Sequence, residues 1–195
     1  TLYGYPMSCM GAHVSGVPNA QTLRTSTIDN RFNTACIGLL GYELDLTKLN
    51  PHELDIVKKQ IDFYKTYRKT LQYGDYRVTK DIFTDKTGVV CVTDKNKTQA
   101  VAVLTNNIAP TSPPSDILKF SGLNPDALYS VKTRPQFIPA KNFGDLIFVA
   151  MPEMAGNPEF VKMIENGMML PCEIESYTAY GDLLTNAGIK LNQQF

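Results

Sequence analysis

A chain of 195 residues, 43% of them hydrophobic, sets 19 Lys plus Arg against 19 Asp plus Glu and contains no tryptophan. That length and apolar share bury a core as one domain or two small ones, and a balanced charge without long runs of one sign excludes a nucleic-acid footprint and a polybasic membrane patch. No apolar stretch reaches the roughly 18 to 20 residues that span a bilayer, and no basic lead with an apolar run opens the chain. A soluble protein with neutral or weakly charged partners is expected.

Cys9, Cys36, Cys91 and Cys172 stand singly in apolar surroundings, with no Cys-x-x-Cys or Cys/His cluster. They are expected as buried, reduced thiols of a cytoplasmic protein, with neither a metal nor a cofactor. The chain begins at once on an apolar β-type segment, Thr1 to Pro6, which reads as a start inside a larger protein. Leu2 to Met7 is aromatic-rich and predicts a short buried strand. Gly11 to Thr22, punctuated by glycine and proline, shows neither helical nor strand period and reads as a loop of the kind that carries sites after barrel strands.

From Thr27 to Ile37 the apolar positions Ile28, Phe32, Ala35 and Cys36 predict a short amphipathic helix capped by Thr27 or Ser26 and stopped by Gly38. Gly41 to Leu46 reads as a connection. The clearest element follows, with Asn50 as N-cap, Pro51 in the first helical position and Glu53 completing a capping box. Leu54, Val57, Ile61, Tyr64 and Leu71 then form a single apolar face up to Gly74, and a helix of about twenty residues with one such face lies against a layer that it covers. Leu54, Val57, Ile61 and Tyr64 together are too apolar to leave in water, so this face is expected to fold onto the rest of the chain or to mediate self-association.

Beyond Gly74 the runs 76–83, 88–93, 99–104, 117–120 and 128–132 are short and rich in Val, Ile, Tyr, Phe and Thr, separated by turn residues. They predict a small antiparallel β domain of sandwich type, with a helical turn or two at 158–166 and a closing strand at 189–191. The boundary falls at 73/74. A strand, a loop and two helices do not close a core alone, so residues 1–73 read as the last βα unit of a larger α/β layer, while residues 74–195 form a β domain able to fold without them.

The run from Tyr5 to Ser15, with Met10-Gly11-Ala12-His13-Val14-Ser15 at its end, followed by Val17-Pro18-Asn19, Gln21-Thr22 and Arg24, closely resembles bacterial α-galactosidases of glycoside hydrolase family thirty-six. Gly41 to Leu49, the helix end Phe63 to Arg68, Gly122 to Tyr129 and Tyr180 to Ile189 are similar to later stretches of the same family. The resemblance implies the end of a (β/α)8 barrel plus a C-terminal β domain. The parent enzyme is then a retaining hydrolase of α-linked galactose in melibiose- and raffinose-type sugars, using two carboxylates about 5 Å apart. It places both carboxylates N-terminal to this chain, so no catalytic role falls on any residue here, and the chain is expected to be inactive alone. A homo-oligomeric parent is expected. The chain departs from the family at Ala20 and Leu23, where an Asn-His-Gln-x-Gly-Arg run usually has His and Gly, and Phe143 to Cys172 has no clear counterpart and reads as an insertion.

Within the resemblance His13, Asn19 and Arg24 are the candidate substrate-loop residues. His13 sits where a strand-end loop would face the sugar, against the alternative of a structural imidazole; Asn19 and Arg24 would bond a sugar or a neighbouring subunit, against plain turn chemistry after Pro18. Glu43 and Asp45, which on a strand would share one face about 7 Å apart, are expected in capping or ion-pair roles. Tyr64 and Tyr67 are expected to pack along the long helix. The competing reading is a non-catalytic carbohydrate-binding or assembly β module, which the lack of tryptophan platforms disfavours.

Overall fold

The computed structural model describes residues 4–106 and 116–191. After a 3-10 turn at Met7–Cys9 come β1 (Gly11–Ser15), α1 (Ile28–Ala35), β2 (Leu39–Glu43), a 3-10 turn at Leu46–Lys48 and α2 (Pro51–Tyr73). β1 and β2 pair in parallel, with His13 opposite Gly41 and Ser15 opposite Glu43. Parallel neighbours need a crossover, which α1 supplies.

This refines the reading of the first third of the chain. The strand expected over Leu2 to Met7 lies instead at Gly11–Ser15, because Pro6 withdraws a backbone donor while the small residues after it accept strand geometry without showing strand propensity. Leu2 and Tyr3 lie outside the described residues. Leu39–Glu43, read partly as a connection, is a second parallel strand, so two βα units stand in succession.

Both helices start as their sequences direct. Thr27 Oγ1 accepts the Asn30 amide at 3.2 Å, and Asn50 and Glu53 form a reciprocal capping box. The face that α2 buries is rotated from the one its apolar period suggests. Ile56, Val57, Gln60, Tyr64 and Leu71 are buried, whereas Leu54 is 43% exposed. The reason is Gln60, fully buried by hydrogen bonds to the Asp29 carboxylate at 2.9 Å and the Ile28 carbonyl at 3.4 Å. A count of apolar side chains misses an inward-facing amide. Tyr64 also acts through its hydroxyl, which donates to the Gly38 carbonyl at 2.9 Å and accepts from the Leu40 amide at 3.3 Å, fixing the start of β2 against α2.

The rest of the chain is dominated by antiparallel strands. β3 (Asp75–Lys80), β4 (Thr87–Thr93) and β5 (Ala100–Asn106) form one sheet in that order, and β6 (Asp116–Leu118) and β7 (Leu128–Lys132) come next in the chain. β8 (Phe137–Pro139), α3 (Leu146–Ala150), α4 (Pro158–Glu165) and β9 (Met169–Pro171) follow, then β10 (Ser176–Tyr180), α5 (Gly181–Asn186) and β11 (Ile189–Leu191). β7 pairs with β10, β6 with β11 and β8 with β9, all antiparallel.

β5 is a wall with a core on each side. The two-residue period of a strand sends Ala100, Ala102 and Leu104 toward a cluster with Val89, Leu118, Ala179, Leu184 and Ile189. It sends Val101 and Val103 toward the cluster of Val14, Phe32, Val57, Tyr64 and Leu71. The apolar face of α2 is therefore satisfied within the chain, on the sheet that follows it. The segment from Phe143 to Cys172 folds as a small lobe around Ala140, Ile147 and Phe160, with Met151, Met154 and Met168 packed on them, and β8 and β9 form its neck.

Candidate functional site

The same two-residue period gives the β1–β2 pair two faces. Ala12, Val14, Leu40 and Tyr42 point to the helical side, and all pack into the core formed with α1 and α2. His13, Leu39 and Glu43 are exposed on the other side. In a parallel α/β barrel the side away from the helices is the lumen, and ligands bind at the C-terminal ends of the strands. His13 Nδ1 lies 3.7 Å from Glu43 Oε2, so an imidazole and a carboxylate meet across the ends of adjacent strands on that open face. Gly41 makes room for them. A Cβ at this position would come within 2.5 Å of His13 Cδ2, so only a glycine lets the ring lie flat across β2. Asp45 has a different fate: it caps the following turn through the Thr47 amide at 3.0 Å and pairs with Lys48.

The loop after β1 holds the other two sequence candidates and treats them differently. Asn19 Oδ1 accepts from the Gln21 amide at 3.1 Å, the Thr22 amide at 3.0 Å and the Thr22 hydroxyl at 3.1 Å. Its backbone also donates to the Arg24 carbonyl at 2.9 Å and accepts from the Leu23 amide at 2.8 Å. Asn19 is thus the organiser of a tight turn. Arg24 is exposed beside it and lines, with His13 and Arg31, a broad cleft of about 1220 Å³ between this loop, α1 and β5. Leu23 adopts φ +56°, a left-handed conformation that L-residues avoid and glycine accepts. The glycine that the resemblance implies at this position would relieve that strain.

Arg31 escaped the sequence reading. It donates through Nη1 to the Ser15 carbonyl, the last residue of β1, and through Nε to the Thr27 carbonyl at 3.4 Å, the N-cap of α1. Its guanidinium is half-buried, and loss of water holds its pKa below the usual arginine value, with Glu53 opposing. A signal was present: a cation in the first turn of a helix stands at the positive end of the macrodipole, where it is disfavoured without a compensating contact.

Nor does sequence reveal the strongest polar cluster. Asp29, 2% exposed, accepts from Arg134 Nη2 at 2.7 Å, Gln60 Nε2 at 2.9 Å and the Phe137 amide at 2.8 Å. Arg134 also donates to Asn33 Oδ1 at 2.9 Å and stacks over the Phe32 ring at 4.9 Å. Gln60 in turn accepts from the Tyr42 hydroxyl at 2.8 Å, whose pKa burial pushes up, so it stays a neutral donor. Partners 101 and more residues apart leave no local pattern to read.

The four cysteines are free; Cys36 and Cys91 are buried, Cys172 is half-buried, and Cys9, expected inside, is exposed on the turn before β1. Among the described residues no group of three or more His, Cys, Asp or Glu is placed to hold a metal ion, and no helix is long and apolar enough to cross a membrane.

Two parallel βα units with an open strand face, backed by antiparallel strands, have the form of the end of an α/β barrel. Family comparison names it. Residues 1–74 match the melibiase model and residues 87–194 the glycosyl hydrolase family 36 C-terminal domain, so the chain belongs to glycosyl hydrolase family 36. It is 39% identical over 125 residues to the α-galactosidase Mel36A of Lactobacillus acidophilus, covering 64% of this chain and 17% of that protein. It is 33% identical over 128 residues to the α-galactosidase AgaA of Geobacillus stearothermophilus, covering 66% and 18%. The chain thus spans less than a fifth of the length of these curated relatives. The α-galactosidase of Lactobacillus brevis superposes with a TM-score of 0.70 at 32% identity, over 99% of this chain and 21% of that one. A variant of AgaA in complex with raffinose superposes with a TM-score of 0.70 at 26% identity, over 98% and 21%.

Proposed function

We propose that this chain forms the C-terminal part of a retaining α-galactosidase acting on raffinose- and melibiose-type sugars, and that it supplies part of the substrate wall without either catalytic carboxylate. The observation that carries the reading is the β1–β2 pair, sealed on one side by α1 and α2 and presenting His13 and Glu43 on the other. A barrel completed by further strands would turn that face into a lumen. His13 and the exposed Arg24 then offer donors to sugar hydroxyls, while Asn19 shapes the loop that holds them. Residues 1–73 would serve as the end of the barrel and residues 74–195 as the β domain behind it, in a homo-oligomeric enzyme. Four free thiols favour a cytoplasmic setting.

The test joins this chain behind the N-terminal part of Mel36A, in place of that protein's own matching stretch. Hydrolysis of p-nitrophenyl α-galactoside by the chimera, against none by the isolated chain or by the Mel36A part alone, is the expected result. Turnover by the isolated chain, or a folded chimera without activity, overturns the proposal.

A further inference from the structure

Twelve residues separate the end of β1 at Ser15 from the start of α1 at Ile28, and both anchors of this loop are gripped by one side chain. We infer that Arg31 is a positioning residue, a clamp that fixes the span of the substrate loop and so the placement of Arg24 and of the Asn19 turn. The inference rests on the reading of that loop as part of an α-galactoside site.

Geometry requires an arginine here. The two carbonyls belong to separate elements, Ser15 to a strand and Thr27 to a helix cap, and a planar fork with donors on different nitrogens reaches both at once. A lysine offers its protons from one atom and serves one carbonyl at a time. Half-burial strengthens the bonds, because water does not compete fully for the guanidinium. Two further contacts make the clamp effective. The Gly16 amide donates to the Glu43 carbonyl at 3.2 Å, tying the loop's first residue to β2, and Asn19 Nδ2 approaches Ser15 Oγ at 3.4 Å. The entry of the loop is therefore stitched to the strands that carry His13 and Glu43, and Arg31 ties its exit to the same point. Cutting the clamp leaves the internal turn intact but frees it to move as a body, which carries Arg24 away from any sugar seated over β1 and β2.

Arg31→Lys and Arg31→Met, made in the chimera described above and in the 195-residue chain alone, test this. In the chimera the expected result is a KM for raffinose raised on the order of tenfold, as for lost hydrogen bonds to a charged donor. kcat should change less than about twofold, on raffinose and on p-nitrophenyl α-galactoside alike. Lysine should fail to rescue. In the chain alone, hydrogen exchange should accelerate at the Gly16 amide, whose bond ties the loop to the Glu43 carbonyl, while the Leu23 amide inside the turn and the α2 amides keep their protection. Equal loss of kcat on both substrates with a fall in Tm would make Arg31 merely structural and overturn the inference, as would unchanged kinetics in an active chimera. An inactive parent chimera refutes the α-galactosidase reading instead, and the exchange pattern then decides the clamp by itself: acceleration confined to the loop upholds it, and none rejects it.

Discussion

Replacing Arg134 by Met keeps much of the side chain's length and its apolar stacking surface on Phe32 but removes the charge that faces Asp29. Asp29 would retain Gln60 Nε2 and the Phe137 amide, two neutral donors, around a carboxylate that is 2% exposed. Breaking one side of a buried pair in this way costs about 3 to 5 kcal/mol, since the remaining charge stays desolvated. For a chain of this size each kcal/mol moves Tm by about 2 to 4 °C, so the variant should melt roughly 6 to 20 °C lower in a calorimetric scan. Arg134→Lys should recover little, because one ammonium does not serve Asp29, Asn33 and the Phe32 ring together. The double variant Asp29→Asn with Arg134→Met removes both charges and should lose much less than the sum of the single losses, with a coupling of about 2 kcal/mol or more. Strictly additive losses, or an Arg134→Met variant within about 1 kcal/mol of the parent, would refute the idea that this pair fastens the β domain to the helices.

Leu23→Gly should stabilise the chain by about 0.5 to 1 kcal/mol, read as a higher urea midpoint, because relief of the left-handed strain outweighs the added freedom of the unfolded chain. With an aromatic disulfide reagent at pH 8, Cys9 should react at once and Cys172 slowly. Cys36, whose thiol burial pushes up to about 12, should react only as the chain unfolds, together with buried Cys91. A chain cut to residues 75–195 should be less soluble than the whole and bind a hydrophobic dye, since Val101, Val103, Phe137 and Met169 lose the cover of the helical core. Cooperative unfolding of that piece with the whole chain's midpoint would restore the sequence expectation that it stands alone.

The elements most legible in the sequence were those written in local chemistry. The Asn50–Glu53 capping box, the Thr27 cap and the apolar runs of β4, β5, β7 and β11 all lie close to where their residues place them. β1 and β2 hid behind small residues, since Gly11, Ala12, Ser15 and Gly41 carry no strand propensity and take their geometry from the partner strand. β8, β9 and β10 were hidden too. The first two are three-residue strands that exist as the neck of a lobe, and the third is an exposed run with only Ala179 buried. Of the site, His13 was legible as a residue but its partner was not: Glu43 reaches it across a parallel register that local patterning does not encode. Asn19 was legible as a loop residue with turn chemistry as the alternative to a sugar contact, and its side-chain oxygen accepts three bonds within the turn.

The change of texture after Gly74 marks a change from parallel to antiparallel strands, and the two parts share packing across it. A strand has two faces, and a sheet in a domain that stood alone would bury one and wet the other. β5 does neither: its alternate residues close two different cores, one with the β domain and one with α1 and α2. Arg134 and Phe137, from beyond the expected boundary, complete the hydrogen bonding of a carboxylate buried beneath α1. α1 is the helix whose first turn carries Arg31, and Arg31 grips both ends of the loop after β1. A contiguous set of contacts therefore runs from the β domain through Arg134, Asp29 and α1 to the loop beside His13. The antiparallel domain, which lines the candidate cleft through β5, would also support it at a distance, by holding in place the helix from which that loop is hung.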